Sequence, residues 1–409
     1  MLSRISVAVI FIIALFGSSH VLTVEAAGNQ AAFVRDDGLY YIDGDVERKI
    51  AEGPKLSYPK ISSNGIYISY LSGDSNELWV YNRVTRLKRR VFPSNATMPN
   101  WSPIAPLLAW KSDGVLNVID VSKPASSFQN VTLGAGNYSW TPDGKGFVVS
   151  SSANLEPDGW TSVKIFTVPY DANGDLKKVK LLTTLPKASA SFFAIGTSKF
   201  KWAAGGSEFA FIACPTASLS ADSNTLMIVS KDGAATKIAG EMLNNPNWFH
   251  WSPKSEKLAY IKGIGRLTTE NKKLTVWNSI AEKENSYGTA GFADGDFTWR
   301  NEQELVVSRQ KESGWNIPKE QRPKAFLTFV NVRDGSSKQL TYPKRMADVY
   351  PKTLLDGRLM WVRTNSNMTN VKVMKKNDIN SNEKLWINHV KAPSDCYGWQ
   401  CVLDVYQAR

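Results

Sequence analysis

From about residue 30 onward the chain is built from short apolar runs separated by Gly, Pro, Asn and Asp. Ile66–Leu71 (IYISYL), Leu258–Lys262 (LAYIK), Leu305–Arg309 (LVVSR) and Leu327–Val332 (LTFVNV) are rich in β-branched and aromatic residues. No stretch sustains a 3.6-residue period, so the pattern predicts strands joined by turns and an all-β fold.

Several of these strands sit in one repeated layout. A Pro- or Asn-rich lead and an aromatic residue are followed by a tight turn, an apolar strand, a loop and two further strands. The fullest copy is SWTPDGKGFVVSSS, beginning at Ser139. Aligning the others to it gives anchors at Ile61, Trp101, Trp140, Trp202, Trp251, Trp299 and Thr353, with successive gaps of 40, 39, 62, 49, 48 and 54 residues. Gaps of roughly 40 to 50 residues are those of four-stranded propeller blades, and the excess is assigned to loops. The turns Asn64-Gly65, Pro142-Asp143-Gly144 and Asp356-Gly357 supply residues that tolerate positive φ. The expectation is a β-propeller of four-stranded blades, seven of them, with six to eight compatible with the spacing. Each anchor aromatic is expected to pack between adjacent blades. Residues 31–56 read as second, third and fourth strands with no first strand before them, and the C-terminal Cys401–Tyr406 (CVLDVY) is the candidate for the missing one. Strands from both termini would then close the ring and remove its sheet edges.

The turn of the WSPDGK type, followed by an apolar strand and then by LWVYN or KIFTVPYD, resembles the TolB-like and WD-like propeller repeats of exported bacterial proteins. Trp140-Thr-Pro-Asp-Gly-Lys matches the motif well, while Trp299-Arg-Asn-Glu and Trp202-Ala-Ala-Gly have drifted from it. The likeness covers nearly the whole chain after residue 26. It implies a fold and little about activity, because propellers carry binding, lyase and hydrolase functions alike. TolB is similar only in its propeller, since its separate N-terminal domain has no counterpart between Ala27 and the first strand, and its envelope partners do not carry over.

The N-terminus changes the picture by compartment. Arg4, the apolar run Ile5–Phe16 and the stretch ending Val24-Glu25-Ala26-Ala27 predict an export signal over residues 1–26 and a single domain over 27–409. The alternative is an uncleaved anchor, but the run is short of the roughly 20 apolar residues a span needs. The protein is therefore expected to be secreted, extracellular or associated with the cell wall, with no membrane span. Loss of the signal removes one base and one acid, so the formal charge of +12 persists. Outside a cell such charge points to wall polymers, anionic head groups or acidic polysaccharides and away from nucleic acid. In an oxidising compartment Cys396 and Cys401 are close enough in sequence to form a disulfide, and Cys214 is left as a small buried hydrophobe.

Chemistry is sparse. After the signal two histidines remain, His250 and His389, so no three-histidine metal site of the oligogalacturonate-lyase type can form, and no cofactor is expected. No G-x-S-x-G elbow occurs. No catalytic residue can be named, although paired carboxylates can carry acid–base work without histidine. The segment Asp171–Asp175 (DANGD) resembles a calcium loop, but Leu176 and Leu182 stand where Gly and a bidentate Glu belong, and a polar hairpin is the better reading. Arg83, Arg86, Lys88, Arg89 and Arg90 form a basic cluster on one blade, read either as edge protection or as a contact for a polyanion.

Loops give the clearest functional hint. Residues 151–162, 214–224, 262–272 and 309–324 fall between second and third strands of four consecutive blades and exceed a minimal hairpin. Trp160 and Trp315 lie in two of them, available to anchor a partner or else packed inward. Asn100, Asn137, Lys199, Asn247, Asp296 and Asp348 lead into inner strands and are expected to ring the channel mouth, with His250 beside them in the channel or at a blade interface. Together these features predict a monomeric, non-catalytic scaffold that binds a protein through its elaborated face. The alternatives are a module for an envelope polymer or polysaccharide and a lyase or hydrolase with its site in the channel.

Overall fold

A computed structural model describes residues 29–123, 127–318, 320–365, 369–374, 383–393 and 398–406. The expected export signal lies outside the described residues. The architecture is an eight-bladed β-propeller of four-stranded antiparallel sheets. Blades 2 to 8 begin with inner strands at Ser57–Ile61, Thr97–Trp101, Asn137–Trp140, Gly196–Trp202 (in two pieces), Phe249–Trp251, Phe292–Trp299 and Ala347–Thr353. All seven sequence anchors therefore end an inner strand. The eighth sheet, blade 1, is the one that the count of seven omitted. Gln30–Arg35, Gly38–Asp43 and Val46–Glu52 supply three of its strands, and Leu403–Val405 from the far end of the chain pairs with Ala31–Phe33 as the fourth. A blade assembled from two distant segments has no contiguous repeat, which is why spacing alone undercounts by one.

The second strands are buried on both faces, as in Gly146–Ser150, and their apolar side chains meet those of the next blade. One cluster joins Phe33, Leu39 and Leu403 of blade 1 to Met360 and Val362 of blade 8, and another joins Phe249 and Tyr260 of blade 6 to Phe297 and Leu305 of blade 7. Burying a side chain of this size contributes roughly 1.5–3 kcal/mol, so the shared faces between blades hold the fold.

The anchor tryptophans add directed bonds to this packing. Each indole Nε1–H donates to a backbone carbonyl on the inner strand of the preceding blade: Trp101 to Lys60 (2.9 Å), Trp140 to Asn100 (3.1 Å), Trp202 to Trp140 (3.0 Å), Trp251 to Lys201 (2.8 Å) and Trp299 to His250 (3.0 Å). In blade 8 the Thr353 hydroxyl replaces the indole and donates to the Trp299 carbonyl at 2.8 Å. Between blades 1 and 2 the Asp404 carboxylate accepts from the Ile61 amide at 2.9 Å. The repeat is thus a hydrogen-bonded belt around the axis as well as a packing motif.

Inner strands are also bent where they approach the axis. Tyr58, Met98 and Tyr350 each precede a proline and adopt φ of 50°, 53° and 52°. The ladder slips there, between Ser57 and Lys60, Thr97 and Asn100, and Val349 and Lys352. Proline has no N–H to give the ladder, so the strand bulges and re-aims the following side chains. Those side chains are Lys60, Asn100 and Lys352.

Candidate functional site

Because strands alternate in direction, the loops between second and third strands lie at the same end of the propeller as the starts of the inner strands. In blades 5, 6 and 7 these loops are fastened to one another. The Gly265 amide donates to the Asp222 carbonyl at 2.7 Å, and Arg266 grips the Asp222 carboxylate through Nε (2.9 Å) and Nη2 (2.7 Å). Thr269 and Ser313 exchange two bonds, at 2.6 and 3.1 Å, and Glu312 accepts from the Asn271 amide (3.1 Å) and Lys273 Nζ (3.0 Å). The loop at 263–272 wraps its own cation: Lys272, with no exposed surface, donates to the carbonyls of Ile264, Gly265 and Glu270 at 2.8–3.0 Å. Burial holds its ammonium below the usual lysine range, with Glu270 and Glu312 pulling the other way.

These cross-linked loops enclose a cleft of about 570 Å³ lined by Asp222, Ile264, Arg266, Glu270 and Trp315 among others. Trp315 is 66% exposed, with the Arg322 guanidinium 6.0 Å from its ring centre. Trp160 behaves differently. It lies in a small hairpin, half-buried, 6.3 Å from the Phe193 ring and against the blade 4–5 core. Of the two loop tryptophans, one is available and one packs inward.

A second cluster lies on the axis. Lys60, Lys199, Lys201, His250, Asp296, Lys352 and Asp404 come from blades 1, 2, 5, 6, 7 and 8, yet they sense one another's charge. Only the central channel brings such distant blades together. Lys60 Nζ is paired with Asp404 at 2.8 Å, and Asp296 accepts from the Trp248 indole at 3.0 Å. Lys201 Nζ donates to the carbonyls of Pro246 and Phe249, the latter at 2.7 Å, and lies 3.5 Å from His250 Nδ1. His250 Nε2 is buried without a hydrogen-bond partner among the described residues. Burial, reinforced by Lys60, holds Lys199 down to about 8. Burial and then Lys352 and Lys199 push Lys201 well below its ordinary value, and burial with Lys201 and Lys352 does the same to His250, which is neutral near pH 7. Lys352 is lowered mainly by burial against the opposing pull of Asp296, and burial raises Asp296 despite Lys352.

The residues expected at the channel mouth divide accordingly. Lys199, His250 and Asp296 belong to the axial cluster. Asn137 bridges to the Thr197 carbonyl at 2.8 Å, and Asn247 donates to Gln400 at 2.6 Å, so both tie neighbouring segments together. Asn100 is half-buried on its inner strand, its carbonyl taken by Trp140. Asp348 corrects the expectation: it has no exposed surface and is held bidentately by Arg363 at 2.7 and 2.8 Å. Within its strand it precedes the bulge that turns Lys352 toward the axis. Sequence reading missed Lys60, Lys201, Lys352 and Asp404. The first three sit immediately before an anchor, as Asn100 and His250 do, and that column of the repeat is the signal that finds them.

The basic cluster does not form one surface. Arg83 is turned into the junction of blades 1 and 2, bonded to Asp43 at 2.8 Å and 4.0 Å from the Tyr41 ring centre. Arg90 pairs with Glu77 at 3.2 Å, and Arg89 donates to the Lys123 carbonyl at 3.3 Å. Arg86 and Lys88 are exposed. At 171–175 the Asp175 carboxylate caps a short 3-10 turn by accepting from the Lys177 amide, as expected of a polar hairpin. Among the described residues no group of three His, Cys, Asp or Glu is placed to hold a metal ion. Nor is any helix among them long and apolar enough to cross a membrane. Cys401 is buried, Cys214 is a free cysteine, and Cys396 lies outside the described residues.

No family model and no curated protein matches the sequence. Solved structures do match in fold. An oligogalacturonate lyase from Vibrio parahaemolyticus aligns at TM-score 0.51 and 10% identity, over 85% of this chain and 96% of that one. A puromycin hydrolase aligns at TM-score 0.49 and 12% identity over 84% of this chain, and TolB from Acinetobacter baumannii at 0.37 and 13% over 76%. This chain spans 55% of the length of the puromycin hydrolase. At 10% identity the likeness to the lyase speaks for the propeller fold alone.

Proposed function

We propose that this chain is an exported binding protein that docks a protein partner on the face carrying the elongated loops. One observation carries the reading: the largely exposed Trp315 stands over a cleft whose walls are already fixed by bonds between three loops. A rigid aromatic anchor beside a preformed recess gives affinity with little ordering cost, which is how interface hot spots work. The same proposal takes the chain as a monomer whose propeller is closed by the pairing of Leu403–Val405 with Ala31–Phe33. It places cleavage of the export signal after residue 26.

The test is retention of proteins from envelope and secreted fractions on the immobilised chain, at low and high salt, with Trp315→Ala alongside. A partner that survives high salt and is lost with Trp315→Ala supports the proposal. Equal recovery on both chains sinks it. The exposed Arg86 and Lys88, with the net charge of +12, favour a second reading in which an anionic wall polymer is held. Salt-labile recovery of polymer alone is its signature.

A further inference from the structure

We propose that the end of the propeller opposite the long loops docks on an anionic lipid bilayer, through the hairpin tip 84–88 of blade 2 and the neighbouring Val46 and Arg48 of blade 1. The surface lies apart from the loop cleft and does not rest on the docking of a protein there. Third strands run away from the loop end, so the hairpins that lead from them into the outer strands, 83–87 in blade 2 and 44–45 in blade 1, share the far end. Val84 is 75% exposed, Leu87 70% and Val46 56%, and Arg48, Arg86 and Lys88 are exposed beside them. A recess of about 330 Å³ joins the two tips. Val46 and Arg48 line it from blade 1, Tyr81 and Arg83 line it from blade 2, and Val84 follows Arg83 directly.

The blade 2 tip is a fixed turn. The Asn82 amide donates to the Leu87 carbonyl at 2.9 Å, the Asn82 side-chain oxygen accepts from the Val84 and Thr85 amides at 2.9 and 3.1 Å, and Arg86 holds a φ of 61°. The same turn closes blades 6 and 7, capped by Asn278 and Asn331, with Glu282 and Gly335 in the left-handed position. Where blade 2 has Arg86 and Leu87, blade 6 has Glu282 and Lys283 and blade 7 has Gly335 and Ser336. The turn therefore requires neither a cation nor a leucine at these positions, and of the three blades only blade 2 presents an aliphatic pair among cations. Of the nearby acids, Asp43, Glu47 and Glu77 are bonded to Arg83, Arg35 and Arg90. Arg48, Arg86 and Lys88 make no hydrogen bond or ion pair to a described residue, so these three cations outweigh the exposed Asp45. Exposed aliphatics on a rigid tip among cations suit an interface with anionic head groups above hydrocarbon, where apolar burial and charge attraction add. A hydrated wall polymer engages the cations but not Val84 and Leu87, which favours lipid over the polymer reading of Arg86 and Lys88.

Co-sedimentation of the chain lacking residues 1–26 with vesicles tests the surface, using phosphatidylcholine alone and an equal mixture of phosphatidylcholine and phosphatidylglycerol. Binding is expected to the anionic vesicles only, and it should weaken about fivefold or more at high salt. The paired variant Val84→Ser, Leu87→Ser changes no charge and should weaken binding about tenfold or more. Arg86→Ala with Lys88→Ala should weaken it to a similar degree. Ile280→Ser removes an equally exposed aliphatic from the blade 6 tip and should bind as the parent does, as should Trp315→Ala at the other end. Every substituted side chain is largely exposed, so thermal melts of the variants should match the parent. Absence of binding to the anionic vesicles overturns the proposal. So does undiminished binding by Val84→Ser, Leu87→Ser, which returns the cations to a polymer contact, or an equal loss in Ile280→Ser.

Discussion

Replacing Asp294 by alanine should be among the most damaging single changes to this propeller. Asp294 has no exposed side-chain surface and Arg309 only 4%, so the pair is out of water. Arg309 Nε and Nη2 meet the two carboxylate oxygens at 2.6 and 3.2 Å, while Nη1 and Nη2 also reach the Thr289 hydroxyl and the Tyr287 carbonyl. The second carboxylate oxygen accepts from the Leu274 amide of blade 6 at 2.8 Å, so the carboxylate stitches blades 6 and 7. Removing it leaves a buried guanidinium without its counter-charge and a buried amide without an acceptor, together costing about 3–5 kcal/mol. With an unfolding entropy near 2.1 cal/mol/K per residue, a propeller of this size moves by only about 1.3 °C per kcal/mol, so the melting point should fall by about 4–7 °C. Scanning calorimetry of Asp294→Ala, Arg309→Met and the double variant separates the pair from its surroundings. The double variant should be more stable than Asp294→Ala alone, because the orphaned charge is gone. A fall below 1 °C for Asp294→Ala, or strictly additive effects in the cycle, would refute the assignment of a coupled buried pair.

Trp299→Phe keeps most of the ring packing but deletes the bond to the His250 carbonyl, and should cost about 1–2 kcal/mol by chemical denaturation; a neutral result would show that the belt adds nothing beyond packing. Lys199 titrates near 8 in the folded chain and near 10.5 when unfolded, so the unfolded state holds more protons between these values and stability gains from this group as pH rises from 8 toward 10. Lys199→Met should flatten that gain in melting curves taken across the range, and an unchanged slope would remove the inference of a buried, depressed lysine. If Cys396 and Cys401 are bridged, the denatured, unreduced chain should titrate one thiol, that of Cys214, and Cys396→Ser should show two; three in the parent would discard the bridge. Native Cys214 should react slowly, because burial pushes its thiol up to about 12.

The propeller was legible because its information is local and repeated. Turn residues, an apolar strand and an anchor aromatic recur at nearly constant spacing, and each copy reports the same blade. Blade 1 was legible as three strands in residues 31–56 lacking a first, with Cys401–Tyr406 as its candidate, but its inner strand Leu403–Val405 lies more than 350 residues from Gln30–Arg35 and adds no anchor to the series, so the preferred count stopped at seven. The candidate sites were only partly legible for a related reason. Trp160 and Trp315 look alike in sequence, each following Gly in a long loop, and only the Phe193 contact distinguishes the packed ring from the available one. Asp348 resembled a channel residue until Arg363 claimed it. The lysines of the axis meet solely because the blades are arranged in a circle, so Lys60 and Lys199 become neighbours without any pattern between them. The column before the anchors held that information once the repeat had been aligned.

The belt of indole bonds determines where the circle gives way. From Trp101 round to Thr353 each inner strand is fastened to its predecessor by a side-chain donor. At the seam, a strand of three residues and one carboxylate, Asp404, perform that task. Breathing should therefore begin there, with the backbone amides of Ala32 and Val34, which face the C-terminal segment, exchanging with solvent before those of any other second strand. Asp404 is bonded to Lys60 and to the Ile61 amide of blade 2, on the opposite side of that short strand, so an opening of this ladder leaves the C-terminal segment tethered to blade 2. The two ends of the chain thus part from each other while one of them still holds the next blade in place.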